Sequence, residues 1–337
     1  MTPPKAASLV GIFLLGSGHA TPVTPPAANA ALAAADGSHH GQHHQRPLRA
    51  SELIEFEFGG EARTALLYIP AGAIGAAGVP LVFNYHGYTG SGQQQETSSR
   101  MSILADTEGF AAIYPDGVGL IGGLIRSHNG GSCCDRANNR QSPTDDVGFA
   151  EALVERVGER LELLGSSLDL GRIYSTGMSN GGFMSIRLGC EDTSLFAAVG
   201  SVTGVLGNED PGADEFPCDL ESSSGRPIPY FHIHGTADSV VPYEGNGGGF
   251  KSVADTVATY RELNSCGGDS VPGFINGPVS CESWCGNDIN NVTLCTIEAG
   301  AHVWFGPNCN GPGCEEMDST KLMWEFFKRH RREPDGL

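Results

Sequence analysis

One serine of this sequence lies where a nucleophile is expected. Ser179 is the centre of the segment Gly177-Met178-Ser179-Asn180-Gly181, which fits the pattern G-x-S-x-G. The segment follows a β-rich run and precedes a helix-forming run, which is the context of a nucleophile elbow, a sharp turn between strand and helix. A five-residue match in a chain with 48 glycines is a weak signal by itself, so an ordinary structural turn is the alternative. The position between strand and helix favours the nucleophile.

A serine nucleophile needs a base, and the base needs a carboxylate that orients it. In folds with this elbow, the acid and then the histidine follow later strands of the sheet. Asp238 comes after a predicted strand that ends at His234, and His302 comes after a predicted strand that ends near Glu298. The order Ser179, Asp238, His302 therefore predicts a catalytic triad. A turn aspartate and a loop histidine are the alternatives for the last two.

Backbone N–H groups are expected to stabilise the oxyanion of such a reaction. Asn180 directly follows the nucleophile, and its N–H is one predicted donor. The other is predicted in the loop after the third strand, from Tyr88, with Thr89 as the second choice. Thr89 and two further residues are candidates for a substrate pocket. His128 lies in a long glycine-rich loop, and Trp304 lies two residues beyond the predicted base, where a core aromatic is an equally good interpretation.

These loops need a scaffold, and the remaining sequence predicts an α/β fold. Residues 53–58 and 64–69 alternate around Gly59-Gly60, which indicates an antiparallel hairpin. After it, strand-like and helix-like segments take turns, including one helix over residues 98–108. This alternation predicts a mostly parallel central sheet with helices on both faces.

Composition excludes several classes of function. The chain has 20 Lys and Arg residues against 39 Asp and Glu residues, a formal charge of −19. Nucleic-acid backbones and anionic membranes are bound by clustered basic residues, so neither partner is expected. We expect no metal site and no cofactor, because the cysteines lack paired spacings typical of zinc ligands.

The N-terminal region has the residue pattern of an export signal. Lys5 precedes ten apolar residues, and Gly18-His19-Ala20 resembles a cleavage site. We therefore expect a signal peptide over residues 1–20, a flexible Ala/Pro/His-rich leader over residues 21–51 and a single catalytic domain over residues 52–337. The protein is expected to be secreted and monomeric. Metal capture by the histidines of the leader is a less favoured alternative to solvated low complexity.

An exported chain meets an oxidising compartment, where ten cysteines favour disulfides. Cys133 and Cys134 are adjacent and are expected to find separate partners. Cys309 and Cys314 could close a small loop, and four other cysteines are expected to pair among themselves: Cys266, Cys281, Cys285 and Cys295. Asn291 begins a glycosylation sequon, but it falls on a predicted strand.

Several of these segments together resemble the secreted polyhydroxybutyrate depolymerase and feruloyl or acetylxylan esterase family of α/β hydrolases. The resemblance runs from about Leu66 to Phe327. It rests on five segments in order: His86-Gly87, Cys133-Cys134 ahead of 145–149, Gly177 to Gly182, His234 to Asp238 with Val241-Pro242, and Gly300 to Trp304.

This resemblance implies an α/β-hydrolase fold and carboxylic-ester hydrolysis, with Ser179, Asp238 and His302 at the positions of the family's triad. Ala301 and Phe305 stand where family members usually have Gly and Pro, which leaves the substrate open. Polyhydroxyalkanoate oligomers and feruloyl or acetyl esters of plant polysaccharides are the expected substrates. The alternatives are a catalytically silent secreted binding protein on a hydrolase scaffold and a serine peptidase of the same fold.

Overall fold

The computed structural model describes residues 50–120, 125–131, 133–134, 144–191, 194–207, 226–247, 249–286 and 290–332. All of them belong to one compact unit, Pro47–Leu337. The predicted signal peptide and all but the last two residues of the predicted leader lie outside the described residues. Among the helices that are described, none has the length and apolar character needed to cross a bilayer.

The described strands form one mixed sheet and one small hairpin. The order across the sheet is β1 (Glu52–Phe58), β2 (Glu61–Tyr68), β4 (Ala111–Pro115), β3 (Val79–Tyr85), β7 (Leu168–Gly177), β8 (Ala198–Val202), β9 (Tyr230–Gly235), β12 (Val292–Ile297), β11 (Val279–Trp284) and β10 (Val271–Asn276). The small hairpin consists of β5 (Val118–Leu120) and β6 (Ile125–Ser127).

The centre of the sheet is parallel and its margins are antiparallel. Neighbours from β4 through β3, β7, β8 and β9 to β12 run parallel, whereas β1 and β2 at one margin and β10 and β11 at the other pair antiparallel. This arrangement confirms the predicted α/β-hydrolase fold with its N-terminal hairpin. Because the central strands run the same way, the loops that follow them meet at one edge of the sheet.

Six described helices cover the sheet: α1 (Gly92–Ser99), α2 (Met101–Glu108), α3 (Asp146–Leu163), α4 (Asn180–Glu191), α5 (Val253–Leu263) and α6 (Ser319–Phe327). Alternate residues of a strand face opposite sides, so the core has two halves. Phe83 packs with apolar residues of α3, α4 and α5 on one side, and its neighbour Val82 packs with residues of α2 and α6 on the other. Helices on both faces therefore bury both halves.

Three features of the fold differ from the predicted elements. The helix predicted over residues 98–108 is broken at Arg100, whose φ of 56° lies in the left-handed region, so α1 ends and α2 begins there. The strands β10 and β11 were not predicted, because every residue of β10 is exposed and its sequence carries no alternation. The hairpin of β5 and β6 was not predicted either, since its strands have three residues each.

Four disulfides join described cysteines: Cys266–Cys285, Cys281–Cys295, Cys309–Cys314 and Cys133–Cys134. The first three agree with the predicted pairings. The prediction that Cys133 and Cys134 take separate partners is wrong. The chain accommodates the adjacent pair with a left-handed backbone at Cys134, where φ is 85°, and Gly130 N–H donates to the Cys133 carbonyl at 3.2 Å.

The sequon at Asn291 lies in a buried position. Asn291 is 6% exposed, and its Nδ2 donates to the Cys285 carbonyl at 3.2 Å. Its partner in the sequon, Thr293, lies within β12. The acceptor amide is therefore not accessible in the folded chain.

Candidate active site

Four loops at the carboxyl edge of the parallel strands carry the predicted site residues. The loop after β3 carries Tyr88 and Thr89, and the turn after β7 carries Ser179. The loop after β9 carries Asp238, and the loop after β12 carries His302. All five residues thus lie at one edge of the sheet, where the loops after parallel strands commonly carry ligand-binding and catalytic groups.

Ser179 occupies a sharp turn between β7 and α4. Its φ is 54°, a left-handed conformation that costs free energy for a non-glycine residue. Ser179 N–H donates to the Val202 carbonyl at 2.9 Å, and Gly181 N–H donates to the Met178 carbonyl at 2.8 Å. These bonds compensate the strained conformation and hold the side chain, which is partly exposed, at the start of α4.

Glycine is required beside this serine because the turn packs against β3. A Cβ built on Gly181 would lie 2.1 Å from the Tyr85 carbonyl oxygen, and one built on Gly177 would lie 2.7 Å from the same oxygen. Non-bonded heavy atoms do not approach so closely. The outer glycines of the G-x-S-x-G pattern therefore allow the turn to lie directly on the end of β3.

Asp238 and His302 form a hydrogen-bonded pair. His302 Nδ1 lies 2.6 Å from Asp238 Oδ2, and since a carboxylate only accepts, Nδ1 is the donor. The side chain of Asp238 is fully buried, and that of His302 is 15% exposed. The loops that carry them are joined as well, because Ala237 N–H donates to the Gly300 carbonyl at 2.9 Å.

The other oxygen of Asp238 is held by the backbone. Val240 N–H and Val241 N–H both donate to Oδ1 at 2.8 Å. Burial raises the pKa of Asp238, but hydrogen bonds from His234, His302 and the Val241 backbone lower it more, so that the net pKa lies below its usual range. Asp238 is therefore ionised at neutral pH and orients the His302 ring.

With Nδ1 of His302 bound to the acid, Nε2 is the ring nitrogen left for a proton from the nucleophile. The Ser179 hydroxyl makes no hydrogen bond to a side chain or carbonyl of the described residues. The structure therefore joins two members of the predicted triad directly and places the third on the same edge of the sheet. In enzymes without substrate, hydrogen bonds to the nucleophile are often long and shorten when substrate binds.

The loop after β3 passes against the nucleophile. A Cβ built on Gly87 would lie 3.4 Å from Ser179 Cβ, so the backbone of this loop is in van der Waals range. Thr89, the second choice for the oxyanion donor, has its N–H engaged by the Arg126 carbonyl at 2.8 Å. Tyr88 N–H has no acceptor among the described residues. Of Tyr88 and Thr89, Tyr88 is therefore the residue whose backbone N–H is free to donate to an oxyanion.

His86 holds this loop in place. Its Nδ1 donates to the Gly87 carbonyl at 2.7 Å, and its Nε2 accepts from Gly117 N–H at 2.9 Å. Burial lowers the pKa of His86, which keeps the ring neutral and able to accept at Nε2. The residue therefore ties the loops after β3 and β4 together.

Asn180, the predicted second oxyanion donor, is clamped by its side chain. Its Oδ1 accepts from His128 N–H at 2.8 Å, and its Nδ2 donates to the His128 carbonyl at 2.9 Å. Asn180 begins α4, where the first N–H groups have no partner within a helix. Its backbone N–H is therefore free to face developing negative charge.

His128 does not line an open cleft as predicted. It is 1% exposed, and its ring lies 4.3 Å from the His86 ring and 5.0 Å from the Tyr85 ring, centroid to centroid. Burial and the neighbouring His86 and Arg63 lower its pKa well below the ordinary value. Its contribution to the site is the backbone clamp on Asn180, which no sequence pattern indicates.

Trp304 is buried as well. It is 5% exposed, and its indole N–H donates to Thr320 Oγ1 at 3.0 Å. Its position fits the alternative of a core aromatic rather than a wall of the pocket. Thr89 is exposed at the turn after β3 and stays a candidate for substrate contact.

The described residues contain no group of three or more metal-ligating side chains. What they do provide is an ionised acid bonded to a histidine, a serine raised on a turn, and free backbone donors on both sides of that serine. This set fits nucleophilic acyl transfer.

Residues 64–216 match the family described as Esterase PHB depolymerase. Feruloyl esterase B of Piromyces equi is 28% identical over 282 residues, covering 79% of this chain and 45% of that protein. The bifunctional acetylxylan esterase/xylanase XynS20E of Neocallimastix patriciarum is 26% identical over 198 residues, covering 58% of this chain and 24% of that protein. The chain thus spans less than half the length of both relatives.

A solved structure shares the fold. Esterase 2 of Thermogutta terrifontis, phosphorylated by paraoxon, superimposes with a TM-score of 0.55 at 17% identity and covers 84% of this chain and 95% of that one. At this identity the likeness concerns the fold. Residues 64–216, which contain the elbow, thus match the esterase PHB depolymerase family, and the chain has an α/β-hydrolase fold.

Proposed function

We propose that this protein is a serine carboxylic-ester hydrolase. The observation that carries the proposal is the buried hydrogen bond of 2.6 Å between His302 Nδ1 and Asp238 Oδ2, at the same sheet edge as Ser179 on its left-handed turn. An ionised acid fixes the His302 ring with Nε2 bare, and a bare imidazole nitrogen is what a serine hydroxyl needs as its base.

In the first half of the reaction, Ser179 Oγ attacks the ester carbonyl while its proton moves to His302 Nε2. The Asp238 carboxylate stabilises the resulting imidazolium. The N–H groups of Tyr88 and Asn180 donate to the oxyanion. The intermediate collapses as His302 gives the proton to the leaving alcohol, and an acyl group remains on Ser179.

The second half repeats these steps with water. His302 Nε2 takes a proton from water, the hydroxide attacks the acyl carbonyl, and the same N–H groups hold the oxyanion. Collapse releases the carboxylic acid and returns the proton to Ser179 Oγ. All groups end as they began, so Ser179, His302 and Asp238 suffice for turnover.

We propose feruloyl or acetyl esters of plant polysaccharides as the substrates, because the names of the two relatives above denote those activities. Oligomers of hydroxyalkanoates are the second candidate, supported by the family match. We further propose that the protein is secreted, since the described residues hold four disulfides, which persist in oxidising compartments.

The test is hydrolysis of methyl ferulate, p-nitrophenyl acetate, acetylated xylan and hydroxybutyrate oligomers by the wild type and by Ser179→Ala. The variant is expected to lose kcat by a factor on the order of 10⁶. The matched control is Ser280→Ala, an exposed serine of β11, which should keep full activity. Equal turnover by wild type and Ser179→Ala would refute the proposal, and cleavage of peptide amides in preference to esters would assign a peptidase.

A further inference from the structure

Three polar aromatic side chains follow one another along β9. Tyr230, His232 and His234 occupy alternate positions of the strand, so they lie on the same face of the sheet. All three are 0% exposed. Tyr230 Oη lies 2.6 Å from His232 Nδ1, and His232 Nε2 lies 3.1 Å from His234 Nδ1. The three form a hydrogen-bonded row inside the protein.

The row ends on the acid of the proposed site. His234 Nε2 lies 2.9 Å from the Val241 carbonyl oxygen and 3.3 Å from Asp238 Oδ2. The same Oδ2 is the acceptor for His302. Two histidines therefore share one carboxylate oxygen, His302 from the side of the nucleophile and His234 from the interior.

The acceptors fix the direction of every bond in the row. The Val241 carbonyl and the Asp238 carboxylate only accept, so His234 carries its proton on Nε2 and leaves Nδ1 bare. His232 then donates from Nε2 to that nitrogen, and Tyr230 Oη donates to Nδ1 of His232. All donors point toward Asp238, which makes the row a chain of aligned dipoles with the positive end at the carboxylate.

The surroundings keep His232 and Tyr230 uncharged. Burial lowers the pKa of His232 well below the ordinary value, and burial raises that of Tyr230 well above it. Three groups from neighbouring elements pack on the row: Tyr260 of α5, stacked on Tyr230 at 3.7 Å; Tyr243, edge-on to His234 at 5.8 Å; and Ser201 of β8, opposite His232. Burial raises the pKa of Tyr260 and of Tyr243, so both are neutral at working pH.

We propose that Tyr230, His232 and His234 are positioning residues that orient the Asp238 carboxylate and stabilise its charge. In a buried, low-dielectric setting a hydrogen bond to a carboxylate is strong, and successive bonds polarise one another. Because Asp238 acts on His302 as it becomes charged, the row influences the transition state rather than substrate binding. This inference rests on the proposed function of Ser179, Asp238 and His302.

Tyr230→Phe removes the first donor of the row together with the hydrogen bond between the Tyr230 and Ser201 hydroxyls. We expect kcat for p-nitrophenyl acetate to fall about three- to tenfold, the size of one hydrogen bond, while KM stays the same. With Asp238 oriented less firmly, its hydrogen bond to His302 weakens and the His302 imidazolium is stabilised less, so the acid limb of the kcat/KM profile moves to lower pH. His232→Phe interrupts the row nearer to Asp238 and should show the same changes more strongly.

Tyr260→Phe is the matched control. Tyr260 is buried in the same core and stacks on Tyr230, but its hydroxyl donates to the Ile186 carbonyl, outside the row. Tyr260→Phe should lower the melting temperature about as much as Tyr230→Phe and leave kcat and the acid limb unchanged. If Tyr230→Phe, His232→Phe and Tyr260→Phe all match the wild type in kcat and pH profile, the proposal is wrong.

A second readout needs no substrate and so stands apart from the proposed function. Nitrogen-15 NMR of histidine-labelled protein should show His232 and His234 as neutral rings protonated at Nε2. In Tyr230→Phe the Nδ1 signal of His232 should shift, because its donor is gone. A proton on Nδ1 of either ring, or a charged His234, would overturn the assigned row even if the ester is hydrolysed.

Discussion

At the scale of single residues, the site depends on acceptor atoms whose lone pairs are all occupied by protein donors. Asp238 illustrates this, because Oδ1 is occupied by two backbone N–H groups and Oδ2 by two imidazoles. No lone pair is left to accept from water in place of His302. The ring orientation is therefore determined by the protein rather than by solvent.

Asp238→Asn should lower kcat by a factor on the order of 10⁴, since an amide neither carries charge nor selects the tautomer of His302 that leaves Nε2 bare. Steady-state kinetics on p-nitrophenyl acetate measures the effect. Asp255→Asn, at an exposed carboxylate in the first turn of α5, is the control and should keep its kcat. A loss below tenfold for Asp238→Asn would show that another group orients the base.

The residue types and their order along the sequence predict the acid, the base and the nucleophile, because each lies in a loop that directly follows a strand. They do not predict burial. His128 and Trp304 stand in glycine-rich or loop segments that look accessible along the chain, yet both are packed under neighbouring elements. The clamp between Asn180 and the His128 backbone joins residues 52 positions apart, and no local pattern records such a contact.

At the scale of elements, the turn between β7 and α4 is tightly packed. It touches the end of β3 through Gly177 and Gly181, and the strained Ser179 depends on those contacts. A continuous apolar run predicts each central strand well, because these strands are buried on both faces. It misses β10, whose six residues are all exposed.

Gly181→Ala should destabilise the protein by about 3 kcal/mol or more, because the new methyl group would lie 2.1 Å from a carbonyl oxygen of β3. Gly158→Ala is the control within another helix, α3, where a methyl group meets nothing within 4 Å. That variant should gain about 0.5–1 kcal/mol from helix propensity. Urea unfolding followed by circular dichroism tests both, and equal effects would contradict the close contact.

At the scale of the whole molecule, buried histidines make the stability of the fold depend on pH. His86, His128 and His232 are each 1% exposed or less, and burial lowers the pKa of all three. A group whose pKa is lower in the folded chain takes up its proton first in the unfolded chain. Stability is therefore complete above the unfolded pKa of about 6.5 and is lost as the pH falls below it.

We expect the free energy of unfolding to be flat between pH 8 and 7 and to decrease below pH 6.5 by about 1.4 kcal/mol per pH unit for each buried histidine. Urea midpoints measured from pH 8 to 5 test this. The ring nitrogens of His128 have no hydrogen-bond partner. His128→Leu removes this one of the three histidines and should make the decrease of the unfolding free energy with falling pH shallower. Identical slopes for the variant and the wild type would show that His128 is not held neutral.

The central claim is that Ser179 is the nucleophile activated by His302. Incubation with a fluorophosphonate, followed by mass spectrometry of the peptides, tests it directly, because the reagent transfers its phosphonyl group to an activated serine with loss of fluoride. We expect one adduct per chain, on Ser179, and no adduct in His302→Ala of equal stability. Labelling of a different residue, or none in the folded wild type, would contradict it.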